Sequence, residues 1–373
     1  MENPGKLAIR LVVTCIFLLI SSWALLAELL RGCSPVNVRA VPLDDGWVLM
    51  REDGKILTKE RYCNGDEYSG GLIRFERCVP GKPTQSVYLT PTGEIALVVN
   101  AENTGSFSEG LASIEGDDNL WGYMNDQGKI VIAPKFDAAN PFSEGLAAVQ
   151  VQDKWEYIDT RGRTVLTPHF RDWQIREIDG FKFGGAFVLL FDAKNDQYYK
   201  AIVNHSGRWL VKPTPGLVGE LDDGLAPLWS GDPASLGFVN SSGQMVIPPQ
   251  FTGTASITFQ DGLGVVFAGR GESRRAGFID KEGHWVIEAT FEDAHHFCDG
   301  LAPVKVNGRW GFVDTRGQLV VPAQYEAADS FDGGIATVYI RDEKGITHQG
   351  WIDRTGKLLY ESSLETKIIE FHH

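Results

Sequence analysis

Residues 141–170 read PFSEGLAAVQVQDKWEYIDTRGRTVLTPHF, and the order of turns and apolar runs in this stretch is that of short β-strands. Ser143-Glu144-Gly145 is a turn, followed by a small-residue apolar run from Leu146 to Val151. Lys154 to Asp159 alternates around Trp155 and Tyr157, which places both rings on one face of a strand. Asp159-Thr160-Arg161-Gly162 is a second turn, with Gly last, where a left-handed backbone is easiest to place. Thr164 to Thr167 is β-branched and aliphatic, and Pro168 ends it. One such unit is two or three antiparallel strands, too few to bury their own apolar face.

Neighbouring copies solve that problem. A Phe-x-x-Gly pair recurs at Phe107/Gly110, Phe142/Gly145, Phe181/Gly184, Phe259/Gly262, Phe297/Gly300 and Phe331/Gly334, with Leu221/Gly224 as a variant. The second turn supplies an independent register, with Gly54, Gly93, Gly128, Gly162, Gly207, Gly243, Gly283, Gly317 and Gly356. Its steps run from 34 to 45 residues, and two unrelated landmarks holding one period mark a tandem repeat. Seven units are clear, and two degenerate ones precede them.

Trp121-Gly122-Tyr123 and Trp310-Gly311-Phe312, each followed by a Gly turn, an aliphatic strand and Pro, resemble the WG-repeat proteins of bacteria. The resemblance covers about residues 105–360, with weaker coverage of 46–104. It implies a β-repeat architecture and no catalytic motif. Several copies depart from the pattern: Trp155 precedes Glu156, Leu236-Gly237 and Ala276-Gly277 lack the Trp, and Gly350-Trp351 carries its ring one place later.

The expected fold is all-β, with tandem antiparallel hairpin units in an open superhelical, solenoid-like array. Propeller-like closure is the alternative. It is disfavoured because units of 34–36 residues are tight for four strands and the spacing is uneven. Trp121, Trp155, Trp310 and Trp351, with Gly122 and Gly311, are the candidate repeat core. Each Trp is expected to stack on the next unit's ring. An exposed stripe of these rings would instead suit a sugar polymer.

Before the body, Lys6 and Arg10 in a cytoplasmic segment (1–10) precede the apolar run Leu11–Ala27, and residues 11–30 read as a transmembrane signal-anchor. A cleaved signal or a lipoprotein is the alternative, the latter because Leu30-Arg31-Gly32-Cys33 resembles a cleavage box. Residues 31–45 read as a linker, and 361–373 as a tail with helical spacing. The address implied is the inner membrane of a bacterial envelope, with the repeat body in the periplasm. Export permits disulfides. Cys63 and Cys78 are the candidate pair, whereas Cys298 has no evident partner and reads as packed.

Little in the chain points to chemistry. Net charge is −14, which argues against a nucleic-acid partner. The repeated Glu109, Glu144, Asp223, Asp261 and Asp299 supply one carboxylate per unit, too few for a Ca²⁺ loop, and fit solvated turn residues that accept local N–H groups. Asp293, His295, His296, Cys298 and Asp299 are the densest set of possible ligands but lack a second Cys pair. There is no nucleophile elbow, phosphate loop or zinc-protease helix. No cofactor is expected. The reading is a non-enzymatic binding or scaffold protein with an envelope protein as partner. Carbohydrate binding is an alternative, and a hydrolase in the divergent 171–200 unit is another.

Overall fold

A computed structural model describes residues 33–101, 103–170, 173–214, 219, 221–230, 235–252 and 259–365. The signal-anchor expected at 11–30 lies outside these residues. Among those described, no helix is long and apolar enough to cross a membrane.

The described residues form a closed β-propeller. Among them, eight antiparallel blades follow one another, six of four strands and two of three, and a two-stranded sheet, Val38–Leu43 with Gly46–Arg51, stands between the last blade and the first. Blade 1 runs from Asn64–Ser69 to Ile95–Val99, blade 2 from Leu111–Glu115 to Ile130–Phe136, and blade 3 from Ala138–Ala139 to Thr164–Leu166. Blade 4 runs from Gln174–Ile178 to Trp209–Thr214 and blade 5 from Leu225–Ser230 to Met245–Phe251. Blade 6 runs from Phe259–Gln260 to Trp285–Phe291, blade 7 from Asp293–Ala294 to Leu319–Tyr325, and blade 8 from Ala327–Ala328 to Leu358–Glu365. A unit of 34 residues can be a blade because its first strand is only two residues long in blades 3, 6, 7 and 8. That economy removes the objection to four strands.

One contact, repeated around the ring, overturns the open array. The Gly of each second turn lies against the preceding unit, in most blades against an aliphatic side chain of its last strand, leaving little room for a Cβ. One built on Gly162 would lie 3.0 Å from Ile132, and one on Gly317 would lie 3.0 Å from Ile287. Gly128 meets Leu97 in the same way, Gly283 meets Ile247 and Gly356 meets Val321. Gly54, in the first unit, meets Leu359, in the last, where a Cβ would approach to 3.1 Å. In a solenoid the first and last units would not touch.

The closure is reinforced by a shared apolar cluster of Val41, Val48, Met50, Ile335 and Trp351. Asp44 accepts hydrogen bonds from the Ser362 hydroxyl and the Ser363 amide across the same junction. Cys298, read from sequence as unpaired, forms a disulfide with Cys33, 265 residues away. Residues 31–45, expected to be a linker, contribute Val38–Leu43 to the sheet, and the tail from Glu361 begins as strand rather than helix. Cys63 and Cys78 form a second disulfide, with Cα atoms 5.8 Å apart. In the chain-entropy account the short loop contributes about 3 kcal/mol and the long one about 5.6 kcal/mol.

Candidate functional site

The recurring residues of the unit meet at the seams between blades. Two residues after each Trp-Gly position, an aromatic ring meets the Phe of the next unit's Phe-x-x-Gly. Tyr123 lies 4.8 Å from Phe142, Tyr157 4.6 Å from Phe181, Phe278 4.7 Å from Phe297, and Phe312 4.8 Å from Phe331. These rings are almost fully buried. The Tyr hydroxyls donate onward to main-chain carbonyls near the next unit's Phe, Tyr123 to Asn140 and Tyr157 to Asp179. Burial pushes both phenols up, so they remain donors at any physiological pH.

The tryptophans lie in or against the apolar clusters between blades but do not stack on the next unit's ring. Trp310 is buried and packs on His295, with centroids 4.6 Å apart, and pairs across the strands with Tyr325. Trp121 and Trp155 are half-buried. The stacking between units belongs to the ring two positions later. Trp351 occupies that later position itself: Val338 pairs with Gly350 as Val304 pairs with Gly311, so Trp351 matches Phe312 and packs toward the N-terminal sheet. No continuous row of open rings results, and the feature needed for a sugar-binding stripe is not present at these positions.

The glycine after Trp has a steric reason. Where the last strand of a blade shifts register, its backbone crosses directly over this residue. A Cβ on Gly122 would fall 2.4 Å from the Ile132 carbonyl oxygen, and one on Gly311 2.6 Å from that of Val321. Gly237 and Gly277 are in the same position although the Trp before them is gone.

The turn carboxylates also bridge blades. Their backbones are left-handed, with φ of 51° at Glu109, 53° at Glu144, 52° at Asp261 and 56° at Asp299. They do not cap their own turns, as read from sequence. Glu109 accepts the Gly145 N–H at 2.9 Å, Glu144 the Gly184 N–H at 3.1 Å, Asp261 the Gly300 N–H at 2.8 Å and Asp299 the Gly334 N–H at 2.7 Å. Asp223 pairs with Lys281 at 2.7 Å instead. This relay was missed because its partner lies one unit away, although the shared period of acid and glycine pointed to it.

The ligand-like cluster near Cys298 is dissolved by the same geometry. Cys298 is bonded to Cys33, Asp299 holds Gly334, and His295 lies on Trp310. Burial holds the His296 imidazole down to about 4, which keeps it neutral. Among the described residues no group of three or more His, Cys, Asp or Glu side chains is placed to hold a metal ion.

A family model described as "WG containing repeat" matches the chain at 121–155, 237–267, 277–310 and 310–343. This is a WG-repeat-containing protein. The glycine that gives the WG repeat its name is the one under the crossing strand in each matched stretch. No curated protein matches the chain. Among solved structures, one titled "Crystal structure of the eukaryotic initiation factor" is similar at 11% identity over 88% of this chain and 96% of that one, with a TM-score of 0.60. That likeness concerns the fold. The BP39L lectin from Burkholderia pseudomallei is a more distant match, at 11% identity over 79% of this chain and 96% of its own, with a TM-score of 0.33. The Pyrococcus horikoshii acylaminoacyl peptidase aligns at 9% identity over 80% of this chain and 58% of its own, at 0.38. The repeat family and the propeller fold together suggest a repeat-based binding or scaffold protein.

Proposed function

We propose that this WG-repeat protein is a non-enzymatic scaffold of the bacterial cell envelope that presents one face of its ring to a protein partner. The observation that carries the reading is how the repeat is used. Its recurring rings, glycines and turn carboxylates are taken up by contacts between blades. What varies from blade to blade is the tip of the central hairpin. It spans 116–120 in blade 2, Gln152-Asp153 in blade 3, 193–196 in blade 4, 269–274 in blade 6, Asn307-Gly308 in blade 7 and 342–346 in blade 8. In an antiparallel blade the central turn and the flanking turns emerge at opposite ends, so these tips share one face of the propeller. Varied, mostly polar loops on a rigid ring are the usual form of a protein-recognition surface. The two disulfides support placement outside the cytoplasm, with residues 11–30 as the tether.

The test is photo-crosslinking in living cells with a reactive residue at Asp153 or Asn307 on the tips, and at Val320 on an outer strand as control. One envelope protein captured from the tips and not from Val320 is the expected result. Glycan or nothing from the tips, on a folded and exported chain, overturns it.

A further inference from the structure

The segment Cys33–Asn37 runs along the turns of three blades before it enters the first strand. The Cys33 amide donates to the Gln260 side-chain oxygen of blade 6 at 3.3 Å. The Cys33 sulfur is bonded to Cys298 of blade 7. The Ser34 amide donates to Asp332 of blade 8 at 2.8 Å. Beneath the strap lies Gly333, whose φ is 58°, and a Cβ there would fall 2.3 Å from the Val38 carbonyl oxygen and 3.1 Å from that of Val36. The strap is therefore seated in a gap that only glycine leaves.

It crosses the thinnest joint of the ring. The N-terminal sheet has only two strands, and its ion pair to blade 8 is solvent-facing, although the buried Arg39 guanidinium donates to the Ile335 carbonyl and Asp44 holds Ser362. Arg354 reaches Glu52 at 3.3 Å with both side chains 40% exposed, and reaches Asn37 at 3.3 Å. Exposed ion pairs of this kind add little. The covalent part of the joint is Cys33–Cys298.

We propose that this disulfide is a redox-controlled clasp on the closing seam of the propeller, opened by a dithiol reductant. Cys298 is buried, at 2% exposure, whereas Cys33 is half-buried, so Cys33 is the more exposed end of the bond. A thiolate of the reductant attacks the Cys33 sulfur, and the Cys298 sulfur leaves as thiolate and takes a proton. The reductant's second thiol then displaces the Cys33 sulfur. Two electrons and two protons pass to the pair, and the reductant is left as a disulfide. Release frees the strap from Asp332 and Gln260 and loosens the N-terminal sheet against blade 8. The proposal does not depend on the partner reading.

The experiment is hydrogen exchange on the full chain, oxidised and then treated with dithiothreitol, with the disulfides mapped by mass spectrometry. A Cys63→Ser/Cys78→Ser variant isolates the clasp. Exchange at Val38–Leu43, Gly46–Arg51 and Leu358–Glu365 is expected to rise at least tenfold on reduction and to return on reoxidation. Leu146–Val151 in blade 3 is expected to stay unchanged. Cys33→Ser should show the raised exchange without reductant and no response to it. Three results overturn the proposal: no 33–298 link in the oxidised chain, a 33–298 link that resists the dithiol that opens 63–78, or free thiols with an unchanged seam.

Discussion

Blades 3 and 7 are built from the same unit, and they differ most where one side chain differs. In blade 7, Gly311 lies under the crossing strand, and Leu319–Tyr325 runs for seven residues, paired from Val313↔Leu319 to Trp310↔Tyr325. In blade 3 the matching residue is Glu156, and the last strand shrinks to Thr164–Leu166, paired only at Tyr157↔Leu166 and Ile158↔Thr164. Glu156 takes up the Thr164 hydroxyl at 2.8 Å. Phe170, which in sequence matches Tyr325, leaves its own blade and stacks on Trp209 of blade 4, with centroids 4.0 Å apart. The inner half of both blades is the same, including the ring pair to the next blade. The WG glycine thus governs the outer strand alone, and the ring is held by what lies inside it.

If that division is right, removing an inner ring should cost the same in either blade. Phe331→Ala and Phe181→Ala each empty a fully buried site beside the previous blade's ring, and each is expected to lower stability by about 3–5 kcal/mol in denaturant unfolding. Unequal losses would break the comparison at its inner half. The outer half is probed by Gly311→Val, which forces a side chain against the Val321 carbonyl and should cost about 2–3 kcal/mol. Glu156→Val at the matching place should change stability by under about 1 kcal/mol, because no strand crosses there.

The carboxylate relay comes next in size. Asp299→Asn replaces the carboxyl that accepts the Gly334 N–H with an amide, an expected loss of about 1 kcal/mol by the same unfolding assay. The pH dependence has a definite sign. Burial raises the Asp299 carboxyl above its ordinary value, so its contribution is greatest below that value and declines as pH rises through the raised one. Asn at 299 should therefore cost less at pH 7 than at pH 4.

The smallest effect belongs to the second turn of blade 3. There the Arg163 guanidinium holds Asp159 down to about 2, with backbone N–H groups assisting. A lowered carboxyl contributes stability above its ordinary value and loses it as pH falls toward 2. Arg163→Ala should therefore show its small cost at pH 7 and lose it as pH falls toward 2. A cost in denaturant unfolding that stays constant down to acid pH would assign the turn to its backbone contacts alone.

How much of this could be read in advance follows from the range of each interaction. The strands, the two turns and the period were legible because each depends on residues within one unit, and period-two alternation with Gly at fixed places leaves few choices. The Trp-Gly pair was legible as a landmark, but its roles were not. That Gly311 lies under Val321 and that Phe312 rather than Trp310 meets the next ring both depend on a register shift in the last strand. Cys298 read as unpaired because its partner is 265 residues away, in a segment that looked like a linker. The relay from Asp299 to Gly334 joins two units that sequence treats as separate copies.

The sequence by itself determined an all-β chain of repeated antiparallel units carrying WG motifs, since nearest-neighbour sterics and burial decide those features. Only the tertiary structure decided that the units close into a propeller. Closure depends on the small rotation between neighbouring units summed around the whole chain, and on whether Gly54 then arrives at Leu359 and Cys33 at Cys298. A repeat period records the size of a unit and carries no information about that angle.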